Sequence, residues 1–97
     1  MLVLNVTYKC VPGKREELRA AIRAQGIDVA SRGEDGNFKY DFYLSTEDPD
    51  DLLLVEHWRD VDAWMTHRTF PHYEQLNELK KDLVISTSIQ KAFADEA

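Results

Sequence analysis

The chain has 97 residues, 43% of them hydrophobic and 31% charged, which places it among globular proteins of one domain and excludes disordered and fibrous classes. Eighteen acidic against twelve basic residues leave a formal charge of −6, and without clustered Lys or Arg the chain lacks the electrostatic footprint of a nucleic-acid binder. No stretch is apolar for long enough to be a signal peptide or a membrane span, so the expectation is a cytoplasmic protein with no membrane partner.

Leu2 to Val11 alternates, with Leu2, Leu4, Val6, Tyr8 and Cys10 on one side and Val3, Asn5, Thr7, Lys9 and Val11 on the other, the period of a strand. Pro12-Gly13 punctuates it. From Lys14 the spacing of Leu18, Ala21, Ile22, Gln25 and Val29 predicts a helix that Gly26 weakens and Gly33 stops. Phe38, Tyr40, Phe42 and Leu44 then alternate with polar neighbours, and after the polar loop Thr46 to Asp51 comes a strand from Leu52 to Arg59. In that strand Leu52, Leu54, Glu56 and Trp58 share one face, and Leu53, Val55 and His57 the other. Asp60 is placed to cap a helix carrying Val61, Trp64, Met65 and Arg68. Thr69 reads as a fresh cap and Pro71 fits only a first turn, so the helix breaks near Arg68 and restarts toward Tyr73, Leu76 and Leu79. Lys80 and Lys81 close it. Leu83 to Phe93 reads as the last strand and residues 94 to 97 as a frayed tail.

The order is βαββαβ, a ferredoxin-like α+β domain over residues 1 to 97, with its core in 2 to 93, an antiparallel sheet and helices on one face. A chain this short buries only about 60 to 65% of its unfolded surface. Since both faces of the middle strands carry large apolar groups, the expectation is a homodimer formed sheet to sheet. Cys10 cannot form an intrachain disulfide and reads as packing.

Leu54-Val55-Glu56-His57-Trp58-Arg59-Asp60, followed by His67-Arg68-Thr69-Phe70-Pro71-His72-Tyr73, carries an E-x-W strand end, a helix ending in histidine and a threonine-proline-histidine-aromatic turn. With Glu34-Asp35-Gly36-Asn37-Phe38-Lys39-Tyr40 and Pro12-Gly13-Lys14, this resembles the antibiotic biosynthesis monooxygenase (ABM) family over about residues 2 to 93. The resemblance implies a dimeric α/β barrel with a pocket between sheet and helices in each subunit. It also implies oxidation of a small aromatic, quinol or polyketide-like substrate by molecular oxygen, with no flavin and no metal. Phe70 departs from the small or polar residue often found before the proline, which makes the expected pocket mouth more apolar.

His67 and His72 lie five residues apart around the helix break, where a kinked backbone can aim both at one cavity. A histidine pKa near 6.5 suits removal of a phenolic proton at neutral pH. The resemblance assigns a substrate-oxygen donor to Asn5, whose other reading is a bonded strand residue. Trp58 and Tyr40 suit an aromatic wall, or simply core. Glu56 faces inward beside Trp58 and must be paired, so it reads as an anchor for a backbone or histidine donor near the substrate. Neither H-x₃-H nor H-E-x-x-H spacing nor a cysteine pair is present, so a metal site would need ligands from distant elements, and no glycine-rich phosphate loop appears. The competing readings are isomerisation of a small phosphorylated dicarbonyl and a non-catalytic ligand-binding dimer. An open cavity shared by Asn5, Trp58 and the histidines would favour an enzyme; a space filled with side chains would count against catalysis altogether and leave the binding module.

Overall fold

The computed structural model describes residues 1–95, in the order β1 (Leu2–Cys10), α1 (Arg15–Ala24), α2 (Ile27–Arg32), β2 (Asn37–Leu44), β3 (Asp51–Trp58), α3 (Val61–His67), α4 (Pro71–Leu83) and β4 (Val84–Phe93). The strands form one antiparallel sheet in the order β2-β3-β1-β4, the ferredoxin-like arrangement. Of the tail, Ala94 exchanges backbone hydrogen bonds with Met1 and so continues the ladder; residues 96 and 97 lie outside the described residues.

The helices cover one face, and alternation decides which side chains meet them. Leu2, Leu4, Val6, Tyr8 and Cys10 of β1 and Leu52, Leu54, Glu56 and Trp58 of β3 are all buried. They pack with Leu18 and Ile22 of α1, Ile27 of α2 and Leu76 of α4. The other face carries the row Lys39, His57, Val3, Ala92 and beside it the row Asp41, Val55, Asn5, Gln90. Val3, Leu53 and Val55 on it are half-buried, with no helix over them.

The long first helix divides at Gly26, whose φ of +70° is left-handed backbone that ends α1. The axis then changes direction, so Val29 is exposed and Ile27 takes the buried place. Buried Asp28 accepts from Arg23 Nε at 2.7 Å, and Arg32 Nε donates to the Tyr40 carbonyl at 2.9 Å, which fastens α2 to both neighbours. A second departure is Phe38. The register passes from Asn37↔Trp58 to Lys39↔His57, so Phe38 is the extra residue of a bulge and is exposed rather than inward. Tyr40, beyond the bulge, is buried as expected.

Asp60 caps α3 by accepting from Ala63 N at 2.8 Å. Pro71 stands in the first turn of α4, but the cap there is Phe70, not Thr69. The Thr69 hydroxyl instead donates back to the Thr66 carbonyl at 2.7 Å and closes the preceding turn.

Candidate active site

The turn after α2 sets Glu34 in place. Gly36 has a φ of +85°, and a Cβ there would lie 2.8 Å from Ala63 Cβ, so only glycine lets the turn pass beneath α3. Arg59 N donates to the Gly36 carbonyl at 2.8 Å and ties the same turn to the end of β3. Glu34 is thereby held under the junction of α3 and α4, where His67 ends one helix and His72 begins the next.

Both histidines meet one oxygen. Glu34 Oε2 lies 2.5 Å from His67 Nδ1 and 2.7 Å from His72 Nε2. A carboxylate only accepts, so each imidazole carries its proton on the nitrogen facing Glu34. His67 Nε2 is left with its lone pair, pointing toward Glu56 Oε1 at 4.0 Å. Glu56 Oε1 in turn accepts from Trp58 Nε1 at 3.1 Å. The His67 ring lies 4.8 Å from Trp58, 5.8 Å from Tyr40 and 5.3 Å from Tyr73, centre to centre.

Burial governs the electrostatics. It is the main reason the His67 pKa falls below 6.5, opposed by the hydrogen bond and charge of Glu34. Burial also raises Glu56 to about 7, with the charge of Glu34 adding to the rise and the Trp58 bond reducing it. Tyr40 is raised well above the usual phenol value, again chiefly by burial. At neutral pH the cluster therefore holds a neutral His67 beside a carboxyl poised between its two forms.

Five of the six expected site residues come together: His67, His72, Glu56, Trp58 and Tyr40. Asn5 does not join them. It pairs with Val55 and Gln90 on the face turned away from the helices, because a strand sends odd and even residues to opposite sides. Glu34 was assigned no role by sequence reasoning, although it opens the E-x-G-x-x-x-Y stretch. Nor is there an open cavity shared by the group: Trp58 is 0%, Tyr40 1% and His67 3% exposed. A cleft of about 150 Å³ lies beside Glu34, lined also by Thr66 and Phe70.

Among the described residues Glu34, His67 and His72 are the group able to offer three donor atoms to a metal. Their separations of 2.5 and 2.7 Å are those of hydrogen bonds. Ligands about 2.0 to 2.1 Å from a tetrahedral ion stand roughly 3.3 Å apart, so the cluster would have to open to take one. No helix among the described residues is long and apolar enough to cross a membrane.

The family model for antibiotic biosynthesis monooxygenase matches residues 1–79. The chain is 31% identical over 84 residues to "Putative monooxygenase YcnE" of Bacillus subtilis, covering 87% of this chain and 86% of that protein. A solved structure from Mycobacterium tuberculosis superposes with a TM-score of 0.83 at 30% identity, covering 99% of this chain and 97% of that one. A Deinococcus radiodurans structure described as a putative antibiotic biosynthesis monooxygenase superposes with 0.86 at 28% identity, covering 100% and 95%. With the match spanning most of the chain and the fold shared end to end, the chain belongs to the antibiotic biosynthesis monooxygenase family.

Proposed function

We propose that this protein is a cofactor-independent monooxygenase acting on a small phenol, quinol or polyketide-like aromatic, and that it works as a homodimer. The observation that carries the reading is His67, held by Glu34 through Nδ1 and set against Trp58, with Nε2 making no hydrogen bond and facing Glu56 Oε1 at 4.0 Å, where a substrate reaches it once the packing around Trp58 opens. A carboxylate that fixes the tautomer and orientation of an imidazole leaves the opposite nitrogen as a directed base. His72, on the solvent side of Glu34, is the second candidate for that role. Deprotonation makes the substrate electron-rich, so it can pass an electron to oxygen itself; the radical pair then combines at carbon. Loss of water from the hydroperoxide leaves a carbonyl. One oxygen atom enters the product and the other leaves as water, with all four electrons from the substrate. The protein supplies the base and the exclusion of water, and Trp58 and Tyr40, buried in this structure, orient a substrate for which the packing around them opens.

Glu56 serves the same site as a neutral or ionised neighbour of His67 rather than as the first base. Asn5, on the opposite face, has no place in this chemistry within one chain. The uncovered face bearing Val3, Leu53 and Val55 supports the sheet-to-sheet dimer.

The close packing around Trp58 favours a second reading, a ligand-binding dimer without turnover. The test is an oxygen electrode with a panel of hydroquinones and anthrone-like phenols, combined with mass analysis under labelled oxygen. One labelled atom per product and one oxygen consumed per substrate support the monooxygenase. Binding without oxygen uptake across the panel would overturn it in favour of the binding dimer.

A further inference from the structure

The helix layer stops short of β4. The side chains this strand turns toward the helices are Ile89, Lys91 and Phe93, paired with Val6, Leu4 and Leu2 of β1. Ile89 is 51% and Phe93 73% exposed, an apolar strip beside a covered sheet. Across from it stands Trp64 of α3. Lys91 Nζ lies 4.5 Å from the centre of the Trp64 ring, and the Arg68 guanidinium carbon lies 5.4 Å from the same ring and 6.0 Å from that of Tyr73. Two rows along β1, Lys80 Nζ lies 5.3 Å from the Tyr8 ring.

In a chain with six more acidic than basic residues, cations usually find carboxylates. Among the described residues Arg15, Lys39, Arg68, Lys80 and Lys91 pair with none, whereas Lys9, Lys14, Arg19, Arg23, Arg32, Arg59 and Lys81 do. Arg15 donates to the carbonyls of Ser45, Asp48 and Asp51, and Lys39 lies over Tyr43 on the uncovered face; Arg68, Lys80 and Lys91 gather on the helix side and rest on aromatic rings there, which holds their side chains while leaving the charge unneutralised. Burial lowers the pKa of Lys80, and an arriving anion would relieve that cost. Unpaired cations over aromatic faces, next to an apolar strip, match a planar apolar body that carries a negative charge.

The position relative to the histidines sets the ligand's length. Lys91 ends the cross-strand row Tyr40, Glu56, Leu4, Lys91. It stands two strand spacings, about 10 Å, from Glu56, and Tyr73 meets both Arg68 and His67. Leu4, between Glu56 and Lys91 in that row, is buried, so the patch lies at the edge of the packed histidine cluster, and a molecule of two or three fused rings matches the separation of the two.

We propose that Trp64, Arg68 and Lys91, with the Ile89 and Phe93 strip and Lys80 at its far end, bind an aromatic acid of two or three rings by its carboxylate. The proposal deepens the oxygenase reading by naming the substrate class, and it rests on that reading only for the chemistry after binding. Isothermal titration calorimetry with 1-hydroxy-2-naphthoate and the uncharged 1-naphthol tests it. The naphthoate binds about tenfold or more tighter to the wild-type dimer, since a charge-assisted contact contributes at least that factor. Arg68→Gln with Lys91→Gln removes the difference, and Arg68→Lys with Lys91→Arg retains most of it. Both changes lie at exposed side chains, and circular dichroism and sedimentation confirm that each variant is folded and dimeric. Equal affinity for the two probes, no measurable binding of the naphthoate, or wild-type affinity in the double Gln variant overturns the proposal. Selective naphthoate binding with no oxygen uptake from any substrate keeps the site and removes the oxygenase reading.

Discussion

Glu34 Oε2 and His67 Nδ1 lie 2.5 Å apart although 33 residues separate them in the chain. The contact joins the turn after α2 to the last residue of α3. It fixes which His67 nitrogen carries the proton and which one faces the aromatic rings.

Replacing Glu34 by Gln removes the charge and lets the two imidazoles compete for one amide oxygen. Turnover of the best panel substrate is expected to fall by about 10²-fold or more, and nitrogen-15 NMR is expected to show both His67 tautomers populated. A wild-type rate with an unaltered His67 tautomer would remove Glu34 from the mechanism.

Gly36 is where this geometry depends on a missing side chain. Gly36→Ala puts a Cβ on left-handed backbone and 2.8 Å from Ala63, so it is expected to cost about 1 to 3 kcal/mol in urea denaturation. His72→Ala, on the surface side, is expected to cost less. An Ala variant at position 36 as stable as wild type would mean that the turn does not need to pass so close to α3.

Glu56 gives the fold a pH signature. Its folded-state value of about 7 stands above the ordinary 4.5. The protonated form therefore favours folding, and this contribution, complete below pH 4.5, is lost as pH rises toward and through 7. His67 acts in the opposite sense, because its lowered value removes stability as pH falls below 6.5. Glu56→Gln imitates the neutral acid at every pH, so its stability relative to wild type is expected to be greater at pH 8 than at pH 5. Chemical denaturation at the two pH values measures this, and an unchanged difference would contradict the burial argument.

Much of this was legible in the sequence, for reasons that can be traced residue by residue. Period-two alternation in β1 and β3 placed Leu4, Leu54, Glu56 and Trp58 correctly, because a buried sheet face leaves no freedom of register. Pro71 marked the break that lets His67 and His72 converge. Phe38 went astray because a bulge adds a residue without changing the hydrophobic pattern. Val29 did so because the left-handed Gly26 redirected α2. Asn5 illustrates a different limit: its residue type suggested a polar contact, while its parity with Val3 and Thr7 already placed it opposite Leu4. Glu34 lies in a turn, where no periodicity speaks, and only the neighbouring Gly36 signals that the backbone there is constrained.

Dimerisation through the uncovered face is expected to give twice the 11.2 kDa chain mass in sedimentation equilibrium at micromolar concentration. Leu53→Glu with Val55→Glu puts charge into the middle of that face and is expected to yield monomer with the helices intact by circular dichroism. A wild-type monomer would contradict the interface.

The central claim, that a Glu34-held His67 removes the proton that starts oxygen chemistry, is tested most directly by oxygen consumption of wild type and His67→Ala with the best panel substrate, in the presence of a metal chelator. The wild-type rate is expected to be unaffected by the chelator and to rise with pH, with an inflection below 6.5, since only the neutral imidazole accepts a proton and burial lowers its pKa. His67→Ala is expected to lose about 10² to 10⁴-fold in turnover while remaining folded, with Asn5→Ala close to wild type. A folded His67→Ala variant that consumes oxygen at the wild-type rate, or a wild type silenced by the chelator, would contradict the account.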